Sequence, residues 1–265
     1  MSVNMKVQQA AQTLSEQFRA NQNYFLEDRL LPSGLDEAYS VQREFQTDIS
    51  RYQGPIAGYK LAYTTAALQQ ANGVSDPCLG IILADNIRQS PCTLTAADFV
   101  QLGLECEVAV RLGADLPARG APYDRGRVSE AVESLTAAFE IIDIRRTPGQ
   151  DPKVQFMTGV AANIFNAGVV LGEPVSDWRV LDLRAAYGSM TINGEMVGDG
   201  HGSDVMGHPL EPLAWLANKL SEQGFGLSAG MVIITGSIVS PKIVKAGDTA
   251  SIMIEGLGGA ELKVV

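Results

Sequence analysis

Two glutamates two residues apart, Glu105 and Glu107, sit inside the apolar run Gly103-Leu104-Glu105-Cys106-Glu107-Val108-Ala109-Val110. In a strand, side chains at i and i+2 share a face, with Cβ atoms roughly 7 Å apart. Two ionised carboxylates at that range repel by about 2–3 kcal/mol at an effective dielectric of roughly 20. A partly dry setting adds a desolvation cost. A divalent cation removes both, and hard carboxylate oxygens suit Mg²⁺ or Mn²⁺. The pattern also allows a plainer arrangement, in which the glutamates face water and Leu104, Cys106 and Val108 face a core.

Two other stretches carry charge inside apolar sequence. In Ile56-Ala57-Gly58-Tyr59-Lys60-Leu61-Ala62, apolar neighbours strip water from Lys60. Burial disfavours an ammonium, so a lysine placed there is expected to titrate low enough to exchange protons, unless it snorkels to the surface. In Ala138-Phe139-Glu140-Ile141-Ile142-Asp143-Ile144-Arg145, regular strand geometry puts Glu140 on one side and Asp143 with Arg145 on the other. Asp143 and Arg145 then satisfy each other, which leaves Glu140 free to be a third metal ligand. All three on an ordinary polar face is the alternative.

The elements that must position these groups read as follows. Residues 5–26 predict a helix from the spacing of Val7, Ala10/Ala11, Leu14 and Phe18. A connection containing Pro32-Ser33-Gly34 leads to a second helix beginning at Leu35, with Ala38, Val41, Gln42 and Phe45 along one side. A short helical piece falls within 66–88, and the pattern is strand-like from 92 onwards. Residues 113–128 read as a Gly- and Pro-rich loop. Ser129 is placed to cap a helix through about residue 138, with Val132, Leu135 and Ala138 inward. Residues 158–172 read as a buried turn leading into a strand. Asn193-Gly194 between alternating apolar residues predicts a hairpin. Leu210–Leu220 reads as a helix with Pro212 in its first turn and Gly224 beyond its end. The chain is helical first and then mostly β with one inserted helix, which argues against a Rossmann-like sheet.

Composition narrows the function. The chain has 265 residues, 46% hydrophobic and 19% charged, enough for a substantial core. A net charge of −10 and the lack of a basic patch speak against nucleic acid. The three cysteines, Cys78, Cys92 and Cys106, fit neither a zinc motif nor a disulfide framework, and no segment reads as a signal peptide or membrane span. A soluble, cytoplasmic protein is expected. There is no P-loop and no GxGxxG after a strand. His201 and His208 lie in glycine-rich turns far from any nucleophile motif.

Six stretches occur in order: Leu35-Asp-Glu-Ala-Tyr-Ser-Val-Gln42, Gly58-Tyr-Lys60-Leu, Gly103-Leu-Glu105-Cys-Glu107, Phe139-Glu140-Ile-Ile-Asp143-Ile-Arg145, Gly207-His-Pro-Leu-Glu-Pro-Leu-Ala-Trp215-Leu-Ala-Asn218 and Thr235-Gly-Ser237. Together they resemble the fumarylacetoacetate hydrolase superfamily, in the branch of 2-keto-4-pentenoate hydratases, 2-oxohept-3-enedioate hydratases and 4-oxalocrotonate decarboxylases. The resemblance implies an α+β fold. Its core is a mixed β-roll or barrel-like sheet, with an N-terminal helical region at 1–55 and a catalytic β-rich domain at 56–265.

The resemblance also implies Mg²⁺ or Mn²⁺ held by Glu105, Glu107 and Glu140, with Lys60 as the acid/base and Thr235 and Ser237 as hydroxyl donors to a substrate carboxylate. The implied substrate is a short 2-oxo or 2-hydroxydienoic acid, and the implied assembly a homo-oligomer, with a related lyase as a candidate partner. The implied reaction is hydration of a dienol or enone. Decarboxylation on the same scaffold, or a non-catalytic acid-binding subunit, are the other readings. They stay open because two segments depart from the hydratases. Where those carry an acidic residue after a proline, this chain has Cys78 or Leu79. Where they show an Asp-Asn-Ala-Ser-like run, it has Ala162-Asn163-Ile164-Phe165. Methyl, sec-butyl and phenyl groups in place of a carboxylate and a hydroxyl predict a more apolar pocket.

Overall fold

The structure is a computed structural model that describes residues 2–265. In chain order its elements are α1 (Val3–Arg19), α2 (Leu35–Gln53), β1 (Ile56–Ala62), α3 (Ala66–Asn72), β2 (Cys78–Leu83), β3 (Ile87–Gln89), β4 (Cys92–Leu94) and β5 (Leu102–Leu112). There follow α4 (Arg125–Glu130), β6 (Val132–Asp143), α5 (Pro152–Ala161), β7 (Asn166–Leu171), β8 (Tyr187–Ile192), β9 (Glu195–His201), α6 (Glu211–Ser221), β10 (Val232–Ile243), β11 (Thr249–Ile254) and β12 (Gly258–Val264).

The strands form two sheets. A seven-stranded sheet runs β2-β1-β10-β5-β6-β7-β3, and a five-stranded sheet runs β4-β12-β11-β8-β9. The larger sheet is mixed: β1 pairs parallel with β10, while β5 pairs antiparallel with both β10 and β6. Its two long central strands, β5 and β6, are buried along nearly their whole length. A strand covered on both faces is apolar on both faces, so the polar residues left in it need a reason to be there. The expected α+β class, with a curled mixed sheet and N-terminal helices, is what the chain adopts.

The helices cover the sheet. Helix α1 buries Val7, Ala10, Ala11 and Leu14, and α2 buries Ala38, Val41, Phe45 and Ile49, each a stripe at helical spacing. Helix α2 packs between α1 and α5. Ser2 caps α1 by accepting from the Met5 N–H. The helix expected over 5–26 is shorter at its end. It stops at Arg19, Asn21 takes a positive φ of 50°, and Tyr24 pairs as an isolated bridge with Arg146.

Two other expectations are corrected. The spacing of Val132, Leu135 and Ala138 imitates a helix, but these residues lie in β6. Flanked by β5 and β7, this strand carries no alternation to betray it. Asp124, not Ser129, caps the short helix α4, accepting from the Arg127 N–H at 2.8 Å. The second correction is α5, which lies partly inside the segment read as a turn. Asp151 caps it, accepting from the N–H groups of Lys153 and Val154, and Pro152 opens it. The hairpin at Asn193-Gly194 joins β8 to β9 with both residues at positive φ, 53° and 83°. Among the described residues, no helix is long and apolar enough to cross a membrane.

Candidate metal centre and acid pocket

The register of β5 against β6 builds the centre. Glu105 lies directly across from Glu140, and Glu107 follows two residues on along the same face. One oxygen from each of Glu105, Glu107 and Glu140 lies within 4.8 Å of the others. Glu107 and Glu140 are fully buried, and Glu105 opens onto a cavity of about 180 Å³. The water-facing arrangement of the Glu-x-Glu pair is thus not adopted.

Glu107 and Glu140 are each held by one oxygen and leave the other free. Glu107 Oε2 accepts from the Gly236 N–H at 2.6 Å. Glu140 Oε1 accepts from Asn166 Nδ2 at 2.9 Å and from Lys60 Nζ at 3.2 Å. Glu107 Oε1 and Glu140 Oε2 are buried with no hydrogen-bond partner among the described residues. A buried carboxylate oxygen without a donor is costly. Here two such oxygens belong to the same cluster. Three hard oxygen donors, two orphaned, fit a divalent cation of the Mg²⁺, Mn²⁺ or Ca²⁺ kind.

The electrostatics of the bare cluster agree. Burial, then the charge of Glu140, pushes the Glu105 carboxyl up to about 8. The same causes raise Glu107 well above the ordinary carboxylate range. Lys60 departs from its expected behaviour. Burial does disfavour its ammonium, but Glu140, Glu105 and Glu107 outweigh burial and hold it above the ordinary lysine range. The apolar neighbours along β1 suggested a lowered lysine, but the carboxylates that decide the sign come from other strands.

Gly236 is a residue the sequence reading did not single out. It sits in β10 where the pairing with β5 slips between Ile234 and Ser237. This bulge turns its N–H toward Glu107. Its φ is 120°, and a Cβ there would collide with Thr64. The signal available in sequence was an isolated glycine within an apolar strand. Asn166, the donor to Glu140, had no signal of its own; it reaches the site because β7 runs beside β6.

Thr235 and Ser237 part company. Thr235 is fully buried, and its hydroxyl donates to the Val108 carbonyl at 3.1 Å. Ser237 lines the cavity, with its hydroxyl directed to the Val239 carbonyl. The departing segments also divide. Cys78 is fully buried under Tyr39 and does not line the cavity. Ile164 and Phe165 do line it, as the loss of polar groups there suggested.

Three consecutive residues, Asn163, Ile164 and Phe165, have positive φ values of 64°, 46° and 62°. For a β-branched isoleucine that is strained, at a cost on the order of 1–3 kcal/mol. The strain is held by Asn163, whose amide accepts from the Ile81 N–H at 2.7 Å and donates to the Ile81 carbonyl at 2.8 Å. Gly80, next to it and paired with Lys60, leaves room for this close approach; a Cβ there would lie 3.0 Å from both Asn163 and the Lys60 stem.

Comparison with known proteins gives this geometry a family. The model of the fumarylacetoacetate hydrolase C-terminal domain matches residues 75–265. The chain is 35% identical to the 2-hydroxyhexa-2,4-dienoate hydratase of Comamonas testosteroni over 211 residues, 78% of each chain. It is 31% identical to the 2-oxo-hept-4-ene-1,7-dioate hydratase of Escherichia coli over 235 residues, 87% of each. The 4-oxalocrotonate decarboxylase of Pseudomonas putida G7, solved with magnesium and adipate, superposes with a TM-score of 0.91 at 26% identity, covering 100% of this chain and 99% of that one. A fumarylpyruvate hydrolase from Pseudomonas aeruginosa, solved with Mn²⁺ and pyruvate, shares the fold at a TM-score of 0.62. This chain belongs to the fumarylacetoacetate hydrolase family.

Proposed function

We propose that this protein is a divalent-metal-dependent lyase acting on a short 2-hydroxydienoic or 2-oxo acid, and that its reaction is hydration, as in 2-keto-4-pentenoate hydratases. The observation that carries the reading is the convergence of three carboxylates, two with orphaned oxygens, beside a buried lysine at the floor of an apolar cavity. Relatives at 31–35% identity are named as hydratases of such acids, and one at 30% as a decarboxylase. Glu105, Glu107 and Glu140 would hold Mg²⁺ or Mn²⁺. When bound, the ion supplies Lewis acidity for the 2-oxo oxygen and adjoining carboxylate of the substrate.

The chain's own groups do the rest. Asn166 and the Gly236 N–H fix Glu140 and Glu107, so that their free oxygens point into the cluster. Lys60 Nζ, 3.2 Å from Glu140, carries the proton that interconverts the dienol and the enone. The cavity wall at Ile164 and Phe165 sets the shape of the carbon chain and excludes bulk water. Ser237 lines the cavity, and its hydroxyl would meet the substrate on turning from the Val239 carbonyl.

Decarboxylation of a 4-oxalocrotonate-like acid is the second reading. It is favoured by Ile164 and Phe165 on the cavity wall, two side chains that hold no attacking water, and by the close superposition on the P. putida enzyme. The deciding experiment is a panel of 2-hydroxydienoates and 4-oxalocrotonate with Mg²⁺, followed by ultraviolet absorbance and CO₂ release. Loss of dienol absorbance without CO₂ supports the hydratase, and stoichiometric CO₂ the decarboxylase. Turnover of neither would overturn both and leave an acid-binding subunit. The reading carries with it a cytoplasmic homo-oligomer, with a related lyase as candidate partner, and a catalytic region at 56–265 that holds all four groups.

A further inference from the structure

Two arginines follow β6, and they meet opposite fates. Arg145 is buried. It pairs with Asp143 at 2.7 Å, reaches the Gln22 carbonyl at 3.0 Å and bonds the Asn21 side chain at 2.9 Å. Arg146 is exposed, and among the described residues its guanidinium makes no ion pair and no hydrogen bond. Chain alternation separates them. Ile142 and Arg146 lie on the lining of the cavity, on the same parity as Glu140, while Asp143 and Arg145 pair away from it, Arg145 reaching the end of α1.

Arg146 is also held in place. Its guanidinium carbon lies 5.7 Å from the centre of the Phe165 ring. That ring in turn stacks on Tyr24 at 6.4 Å and an interplanar angle of 9°. Tyr24 closes the loop through its backbone bridge to Arg146. A guanidinium on an aromatic ring keeps the donors at its edge free, and those donors match a carboxylate in a two-pronged geometry.

The charges of the cavity give this arginine an occupant. Its charged lining residues, among those described, are Lys60, Glu105, Glu107 and Arg146. The three carboxylates of the centre are balanced by Lys60 and a divalent cation, so the floor is neutral once loaded. It accepts one carboxylate of a 2-oxo acid. Arg146 then remains as an unmatched positive charge, with the apolar Ile142, Ile164 and Phe165 also on the cavity wall. An acid with one charged end leaves that guanidinium unused.

We propose that Arg146 binds the far carboxylate of a dicarboxylic substrate, so that this chain selects 2-oxo and 2-hydroxydienoic acids charged at both ends over those with an apolar tail. The inference rests on the reading above for the orientation of the 2-oxo end. Arg146 is a specificity-determining residue, and it takes no part in proton transfer.

The test is calorimetric binding of 2-oxoadipate and 2-oxohexanoate to the Mg²⁺-saturated protein. These acids share length and 2-oxo end and differ only in the far group. The wild type is expected to bind 2-oxoadipate about tenfold more tightly, the scale of one charge-assisted contact at a partly solvated site. Arg146→Gln should bring the ratio to within about twofold by weakening 2-oxoadipate alone, because 2-oxohexanoate makes no contact with the guanidinium. Unchanged 2-oxohexanoate binding shows the fold intact. Equal binding of the two acids by the wild type, or a preference that survives Arg146→Gln, overturns the assignment. Turnover is scored separately. A protein that keeps the binding preference but converts no dienoate refutes the lyase reading and leaves Arg146 as assigned.

Discussion

Lys60 Nζ lies 3.2 Å from Glu140 Oε1, although their strands are three places apart in the sheet. From β1 through β10 and β5 to β6, a flat sheet would separate the two backbones by roughly 14 Å at the usual strand spacing. A lysine and a glutamate reaching toward each other do not close that gap on a flat surface. The sheet curls, and groups on its concave side are brought inward. The same curl gathers Glu105, Glu107 and the Gly236 N–H around one point.

That gathering makes the metal-free cluster self-repelling, so Glu107→Gln has two expected effects of opposite sign. The variant should lose divalent-metal binding measured by calorimetry, by at least about tenfold, since outer and inner partners of such sites matter on that scale. Its metal-free melting temperature should equal or exceed that of the wild type, because burial and the neighbouring carboxylates penalise an ionised Glu107 and glutamine carries no charge. A metal-free variant that melts well below the wild type would show that Glu107 is held by something other than this cluster.

The raised carboxyl of Glu105 predicts a pH dependence. Its folded value is about 8, against roughly 4.3 in an unfolded chain. Between those limits the folded state binds the extra proton, so stability falls as pH rises through the window and levels off above it. In chelator, the melting temperature is expected to decline from pH 5 to pH 9. Saturating Mg²⁺ should reverse the trend, since the ion replaces the proton and binds more tightly as the carboxylates ionise. Parallel pH profiles with and without metal would refute the assignment.

Lys60→Met preserves most of the side-chain volume and removes the ammonium. Metal binding should persist, because Glu105, Glu107 and Glu140 are unchanged. Ketonisation of a 2-hydroxydienoate, read as the decay of its ultraviolet absorbance, should fall by about 10²–10⁴-fold, the usual worth of a positioned proton carrier. An unchanged decay rate would remove Lys60 from the chemistry.

Gly236→Ala tests the bulge. A methyl group at a φ of 120° would strike Thr64. A loss on the order of 1–3 kcal/mol is expected in denaturant unfolding, with weaker metal binding because the donor to Glu107 Oε2 moves. Wild-type stability together with wild-type metal affinity would show that the bulge is not needed.

Much of the site was legible in sequence because it depends on local rules. Alternation along a strand put Glu105 and Glu107 on one face, and set Glu140 against the Asp143–Arg145 pair, which indeed bond at 2.7 Å. Stripes at helical spacing marked α1, α2 and α6, and an Asn-Gly turn marked the β8–β9 hairpin. Strand β6 was misjudged near its start because a strand covered on both faces carries no alternation. Helix α5 was missed because its apolar residues are spread around it.

The residue types alone determined that this chain carries three carboxylates and a lysine in apolar strands, and a wall stripped of polar groups at Ile164 and Phe165. Only the tertiary structure decided that these meet. The pairing of β5 with β6 set Glu105 opposite Glu140, and the curl of the sheet delivered Lys60. It also reversed the expected shift of Lys60, since burial is a property of its own strand while the opposing carboxylates come from others. Thr235 was turned inward and Ser237 toward the cavity by one bulge at Gly236. Register, curl and bulge are long-range properties of paired strands, and no single segment encodes them.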